Sequence, residues 1–232
     1  MLMSGCSTCA LNGSCSSSGD GDSCEGEKKL PPGMLERYDT NQSTADGVLV
    51  FIETYEEDGT LKMHPTSAQL IAKAVELNSG RVFGVIFGGP EVKSLYDESF
   101  SYGVDSLYHV RDQRLKEFHP EAYAESITSV CERVIPASVL MASTLKGAEL
   151  APRVAASMGT GVVTNICGLE LEGRKLIMFK DTGGKTMRYG CTTFPQVVTV
   201  KNDVFPSPEG TKDRKGTAVY WHYRGGNYKE IL

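Results

Sequence analysis

The chain has 232 residues, 40% hydrophobic and 23% charged, with a formal net charge of −5. Such a composition buries a sizeable core in one α/β domain plus appendages, or in two small domains. The acidic balance and the lack of a basic stripe exclude a nucleic-acid binder, and the lack of an 18-residue apolar run excludes a membrane-spanning helix.

Residues 4–26 hold four Cys, seven Ser and five Gly, and only Ala10 and Leu11 are appreciably apolar. Such a segment cannot offset its ordering entropy by burial, so it is disordered or tied down by what it binds. Met3-Ser4-Gly5-Cys6 lacks the charged and apolar regions of a secretion signal, and a cytoplasmic location is expected. In a reducing compartment clustered cysteines are metal ligands or redox thiols. Cys6, Cys9, Cys15 and Cys24 have the spacing C-x2-C-x5-C-x8-C. Four thiolates suit an iron–sulfur cluster or tetrahedral zinc, and the intervening Gly and Ser supply turns and N–H donors to cluster sulfurs. The spacing matches neither standard ferredoxin pattern, and the bland alternative is a flexible tail.

Residues 25–44 are a polar connector. The apolar run 47–53 predicts a buried strand, and Ser67, Leu70, Ile71, Ala74 and Val75 repeat at helical spacing. Strands follow at 81–87 and, more weakly, at 105–110. A helix opens at Pro120, with Tyr123, Ile127, Val130, Cys131 and Val134 on one face. Ser138–Met141 predicts a strand and Gly147–Met158 a helix. Further strands are predicted at 162–167, 175–180, 187–192 and 196–200, with one more at 218–222. Strand and helix alternate through residue 158. The expected class is therefore α/β, a mostly parallel twisted sheet with flanking helices and an antiparallel strand extension in the C-terminal part. Three regions are expected: 1–45, 46–207 and a tail, 208–232.

No catalytic signature occurs. The four histidines lack metal-ligand spacing, and His64 and His119 are expected to cap or flank helices. Cys131, Cys167 and Cys191 fall in apolar patterns and are expected in the core. Gly159-Thr-Gly161 precedes a strand, the wrong order for a dinucleotide loop. Ala142–Gly147 joins a strand to a helix, at the end of an open α/β sheet where ligands bind. Thr182-Gly183-Gly184-Lys185 lies between two predicted strands. It reads as a hairpin turn or as a close backbone approach to a flat ligand. The acidic stretch Glu53–Asp58 would repel phosphate, which argues against a nucleotide site after the first strand.

Leu150-Ala-Pro-Arg-Val-Ala-Ala156, Met158-Gly-Thr-Gly161 and Cys167-Gly-Leu169 carry a resemblance to the N-terminal domain of the electron-transfer flavoprotein α subunit. Val48–Glu53, Tyr102-Gly-Val-Asp105, Pro120-Glu-Ala-Tyr123, the Gly183-Gly184 turn and Pro195–Val200 extend it over roughly 46–207. The resemblance implies an electron-transfer subunit, not itself an enzyme, paired with a β-like subunit in a heterodimer and serving a dehydrogenase or further redox protein. In the family the α subunit's own FAD sits in a C-terminal domain whose flavin motifs do not occur in these 232 residues. The resemblance then implies FAD shared at the interface with the β-like partner, contacted by Ser143, Thr144, Lys146, Gly147, Thr182, Gly183, Gly184 and Lys185. At the family's basic position this chain has Ala148, with Lys146 nearby; the family's Phe-Gly-Gly-Asn reads Thr182-Gly-Gly-Lys185. The cysteine segment implies an iron–sulfur cluster of the 4Fe-4S type that takes the place of the α-subunit FAD as electron carrier. The alternative is a scaffold subunit whose tail binds zinc or nothing.

Overall fold

The computed structural model describes residues 44–77, 80–211 and 213–223. The four N-terminal cysteines lie outside these residues.

Strand β1 (Val48–Ile52) is wholly buried. Its side chains alternate: Val48, Val50 and Ile52 enter one core, Leu49 and Phe51 the other. A strand buried on both faces reads as a continuous apolar run, which is why it stands out in the sequence. β2 (Thr54–Glu57) and β3 (Thr60–Met63) then form a separate antiparallel hairpin. Asp58 and Gly59 both have positive φ, the backbone that a tight Asp-Gly hairpin turn requires. Most of the acidic stretch Glu53–Asp58 is thus strand, because Asp58-Gly59 turns the chain back on itself.

Helix α1 (Pro65–Glu76) leads to β4 (Val82–Gly88). A 3-10 turn (Pro90–Leu95) and α2 (Tyr96–Tyr102) precede β5 (Ser106–Arg111). Next come α3 (Pro120–Val134), β6 (Ser138–Ala142), α4 (Leu145–Met158) and β7 (Val162–Ile166). His64 caps α1, its Nδ1 accepting from Thr66 N at 3.2 Å, and His119 occupies the N-cap of α3. Both histidines stand where the sequence places them.

β8 (Gly168–Glu172), β9 (Lys175–Asp181) and β10 (Thr186–Gly190) form a three-stranded antiparallel sheet. β11 (Gln196–Val200) returns to the main sheet, and β12 (Thr217–Trp221) joins its far edge beside β5. The main sheet has seven strands in the order β12-β5-β4-β1-β6-β11-β7, every pair parallel. The expected antiparallel extension is therefore a sheet of its own. β8–β10 serve as the crossover that parallel pairing of β7 with β11 demands, since parallel neighbours cannot be joined by a tight turn.

Helices α1 and α2 and the small sheet cover one face of the main sheet. Helices α3 and α4 cover the other. Cys131 of α3 is buried, but Cys167 and Cys191 are half-buried, because they sit at strand ends past the core.

Candidate functional site

The chain runs outward from β1 to β4 and β5, then crosses back to place β6 on the other side of β1. This reversal opens a crevice between the C-terminal ends of β1 and β6, where open α/β sheets hold ligands. Two segments meet there: Glu53-Thr54 after β1, and Ser143–Gly147 after β6.

Thr144 caps α4. Its Oγ1 accepts from Gly147 N at 3.1 Å and satisfies one of the helix's orphan donors. The same hydroxyl donates its proton to Glu53 Oε2 at 2.6 Å. Gly147 has no room for a side chain, since a Cβ there would lie 1.9 Å from Ala142 O. α4 is thereby pressed onto the end of β6. This glycine serves packing within the chain, so a close approach to a ligand is not what requires it.

Glu53 is only 8% exposed. Its N–H donates to Ser67 Oγ at 3.0 Å, and its carbonyl accepts from His64 N at 2.8 Å. Both contacts fix its backbone to the start of α1. Lys146 lies over the carboxylate, with Nζ 3.8 Å from Glu53 Oε1, and donates to Thr54 O at 3.3 Å. Ser143 Oγ pairs with Thr199 Oγ1 at 2.8 Å, and Thr199 Oγ1 also accepts from Asn165 N at 2.9 Å. Asn165 has positive φ at the register shift between β7 and β11. Leu145, at the first position of α4, is 92% exposed.

Of the residues expected at this site, Ser143, Thr144, Lys146 and Gly147 stand together. Ser143 and Thr144 spend their hydroxyls inside the chain, and Lys146 keeps ammonium donors to spare. Thr182, Gly183, Gly184 and Lys185 form the β9–β10 turn instead. Thr182 N and Oγ1 donate to Lys185 O at 2.9 and 3.1 Å, and Gly184 N donates to Asp181 Oδ1 at 3.2 Å. Gly183 and Gly184 have positive φ, and nothing lies within 4 Å of a Cβ added to either. Among the described residues no hydrogen bond or ion pair joins this turn to the crevice. Next to it, β10 is exposed along its whole length, Met187 and Tyr189 included.

The sequence places Glu53 at the end of the first predicted strand and at the head of the acidic, phosphate-repelling stretch, and gives its side chain no role of its own. The signal that could have singled it out is its place, directly after the central apolar strand, where ligand-end residues fall. Thr199 lies inside an apolar strand and gave no signal.

A second buried polar group lies at the ends of β4 and β5. His109 is fully buried, with Nε2 3.0 Å from Gly88 O and Nδ1 2.6 Å from Tyr96 Oη. Nε2–H donates to the carbonyl, so Nδ1 accepts from the tyrosine. Burial pushes the His109 pKa down, and pushes that of Tyr96 up to about 12. Among the described residues no group of three or more His, Cys, Asp or Glu could hold a metal ion, and no helix is long and apolar enough to cross a membrane.

A family model described as electron transfer flavoprotein domain matches residues 52–223. Subunit LctC of a lactate dehydrogenase (NAD(+),ferredoxin) from Acetobacterium woodii is 33% identical over 82% of this chain and 47% of its own length. An electron transfer flavoprotein subunit alpha from Bacillus subtilis is 26% identical over 69% of this chain and 49% of its own. Protein FixB of Azorhizobium caulinodans is 30% identical over 70% and 45%. The chain spans about half the length of the curated relatives it matches.

Proposed function

Because the chain belongs to the electron transfer flavoprotein family, as an α-subunit-like member matching the N-terminal part, we propose that it is an electron-transfer subunit of a flavoprotein redox complex. It pairs with a β-like subunit and performs no substrate chemistry of its own. The observation that carries this reading is the family match across the fold and the crevice, residues 52–223. The Acetobacterium woodii relative, named as a subunit of a lactate dehydrogenase (NAD(+),ferredoxin), supports a place beside a dehydrogenase or a further redox protein.

In this reading FAD lies at the interface with the β-like subunit and supplies reversible one- and two-electron transfer. Lys146 offers its ammonium, Thr144 and Gly147 hold the start of α4 against β6, and Ser143 keeps its hydroxyl in register through Thr199. The exposed Leu145 and β10 offer apolar contact to the partner. Thr182–Lys185 is a second contact, through a turn whose glycines leave its backbone uncovered. Cys6, Cys9, Cys15 and Cys24 would bind an iron–sulfur cluster as a further electron carrier, since four thiolates and Gly/Ser turns are the donor set such a cluster takes. The segment 1–45 is then the cluster-binding region, 46–207 the partner-binding domain and 208–232 a tail whose β12 completes one edge of the main sheet; the reducing cytoplasm is where such thiolates persist.

The test is co-expression of the full chain with a β-like subunit. A stable heterodimer with bound flavin is expected on size-exclusion chromatography with absorbance at flavin wavelengths. A chain that stays alone and colourless with that subunit contradicts the pairing.

A further inference from the structure

The crevice holds a buried carboxylate with half of its hydrogen-bonding capacity unspent. Glu53 Oε2 is taken by Thr144, but Oε1 accepts no hydrogen bond among the described residues. The nearest cation, Lys146 Nζ, stands 3.8 Å from it, beyond hydrogen-bond reach. A carboxylate only 8% exposed normally fills both oxygens. Beside this acceptor stands a donor, the ammonium of Lys146, which is ion-paired with the carboxylate, hydrogen-bonds only to Thr54 O among the described residues and has further protons to give. Apart from Gly147 N, which Thr144 Oγ1 caps, the first-turn amides of α4 add donors without partners inside the helix.

An acceptor flanked by a donor is the complement of an imide edge, an N–H set beside a C=O. We propose that Glu53 is a specificity-determining residue of the crevice, accepting from the ring N–H of an uncharged imide while Lys146 donates to the adjacent carbonyl. The ligand class is the pyrimidine-like edge of a flavin ring, which rests on the reading of this crevice as a flavin contact. The carboxylate also sets the polarity of the site. A phosphate brought to the start of α4 would meet Glu53, so the ring edge enters and the phosphate end stays out. Thr144 and Ser67 are positioning residues here: one fixes Oε2 and the other the backbone, and together they leave Oε1 to the ligand.

The test is titration of the isolated full chain with riboflavin and with 3-methylriboflavin, following the backbone amide signals of Lys146 and Gly147 by NMR. Wild type is expected to bind riboflavin and to bind the methylated ring about tenfold more weakly, the loss of one charge-assisted hydrogen bond. E53Q keeps an acceptor for Thr144 and turns a donor toward the ring, so it is expected to bind riboflavin about tenfold more weakly than wild type. Equal binding of the two flavins by wild type, or no response of these amides to riboflavin, overturns the proposal without any variant having to fold. Flavin bound by the heterodimer in either of those cases would leave the electron-transfer reading standing and sink this assignment alone.

Discussion

Thr144 and Glu53, 91 residues apart in sequence, share a 2.6 Å hydrogen bond that ties the start of α4 to the end of β1. The hydroxyl works in two directions. It caps the helix through Gly147 N and holds the carboxylate beside Lys146. One side chain thus joins the two central strand ends on which the crevice is built.

Thr144→Val keeps the shape and removes the hydroxyl. It leaves the cap unmade and a buried carboxylate oxygen without its donor, for a combined loss of about 2–3 kcal/mol. Thr144→Ser recovers most of it. Urea denaturation of the three proteins checks this; equal midpoints for valine and wild type contradict it.

The glycines separate by what surrounds them. Gly147→Ala drives a methyl into Ala142 O, a backbone atom that cannot step aside, and costs about 2–3 kcal/mol. Gly183→Ala meets open space but has a φ of 76°, for a cost of about 1 kcal/mol. Gly161→Ala has neither obstacle and stays within about 0.5 kcal/mol of wild type. The same denaturation series orders them; Gly147→Ala as stable as Gly161→Ala contradicts the packing of α4 on β6.

His109 makes stability depend on pH. Its folded pKa lies below the ordinary histidine value because burial disfavours the charged form. Arg111 and Lys93 push the same way, against Glu91 and the Gly88 carbonyl. Below about pH 6.5 the unfolded chain takes up a proton that the folded chain refuses, so stability falls with pH. The His109 contribution to that slope is at most about 1.4 kcal/mol per pH unit, and it vanishes above about pH 7.5. His109→Gln loses this component while lowering stability at neutral pH, since Tyr96 and Gly88 O must re-pair. Melting temperature against pH for both proteins reads it; parallel curves between pH 5 and 7 would contradict it.

Much of this architecture is legible in the residues themselves. β1, β4, β6 and β11 are buried on both faces and announce themselves as apolar runs. The α1, α3 and α4 spacings and the His64 cap are equally plain. β2, β3 and β8 are short, half-exposed strands rich in Glu and Thr, so periodicity passes them over. Which strands pair is a tertiary outcome: nothing local tells β11 to return between β6 and β7. The loop Ser143–Gly147 was legible because a strand-to-helix connection at a sheet's C-terminal end is a general ligand position. The role of Glu53 was not, since it depends on a side chain 91 residues away.

In the proposed function this flavoprotein-family subunit would carry electrons through a cluster held by its four N-terminal cysteines. The most direct test of this is iron and acid-labile sulfide per chain, with zinc measured alongside, in anaerobically purified full-length protein and in Cys6→Ser/Cys9→Ser. Iron and sulfide are expected in matching stoichiometry, both lost in the double variant. Zinc alone, or no metal in the wild type, would contradict it.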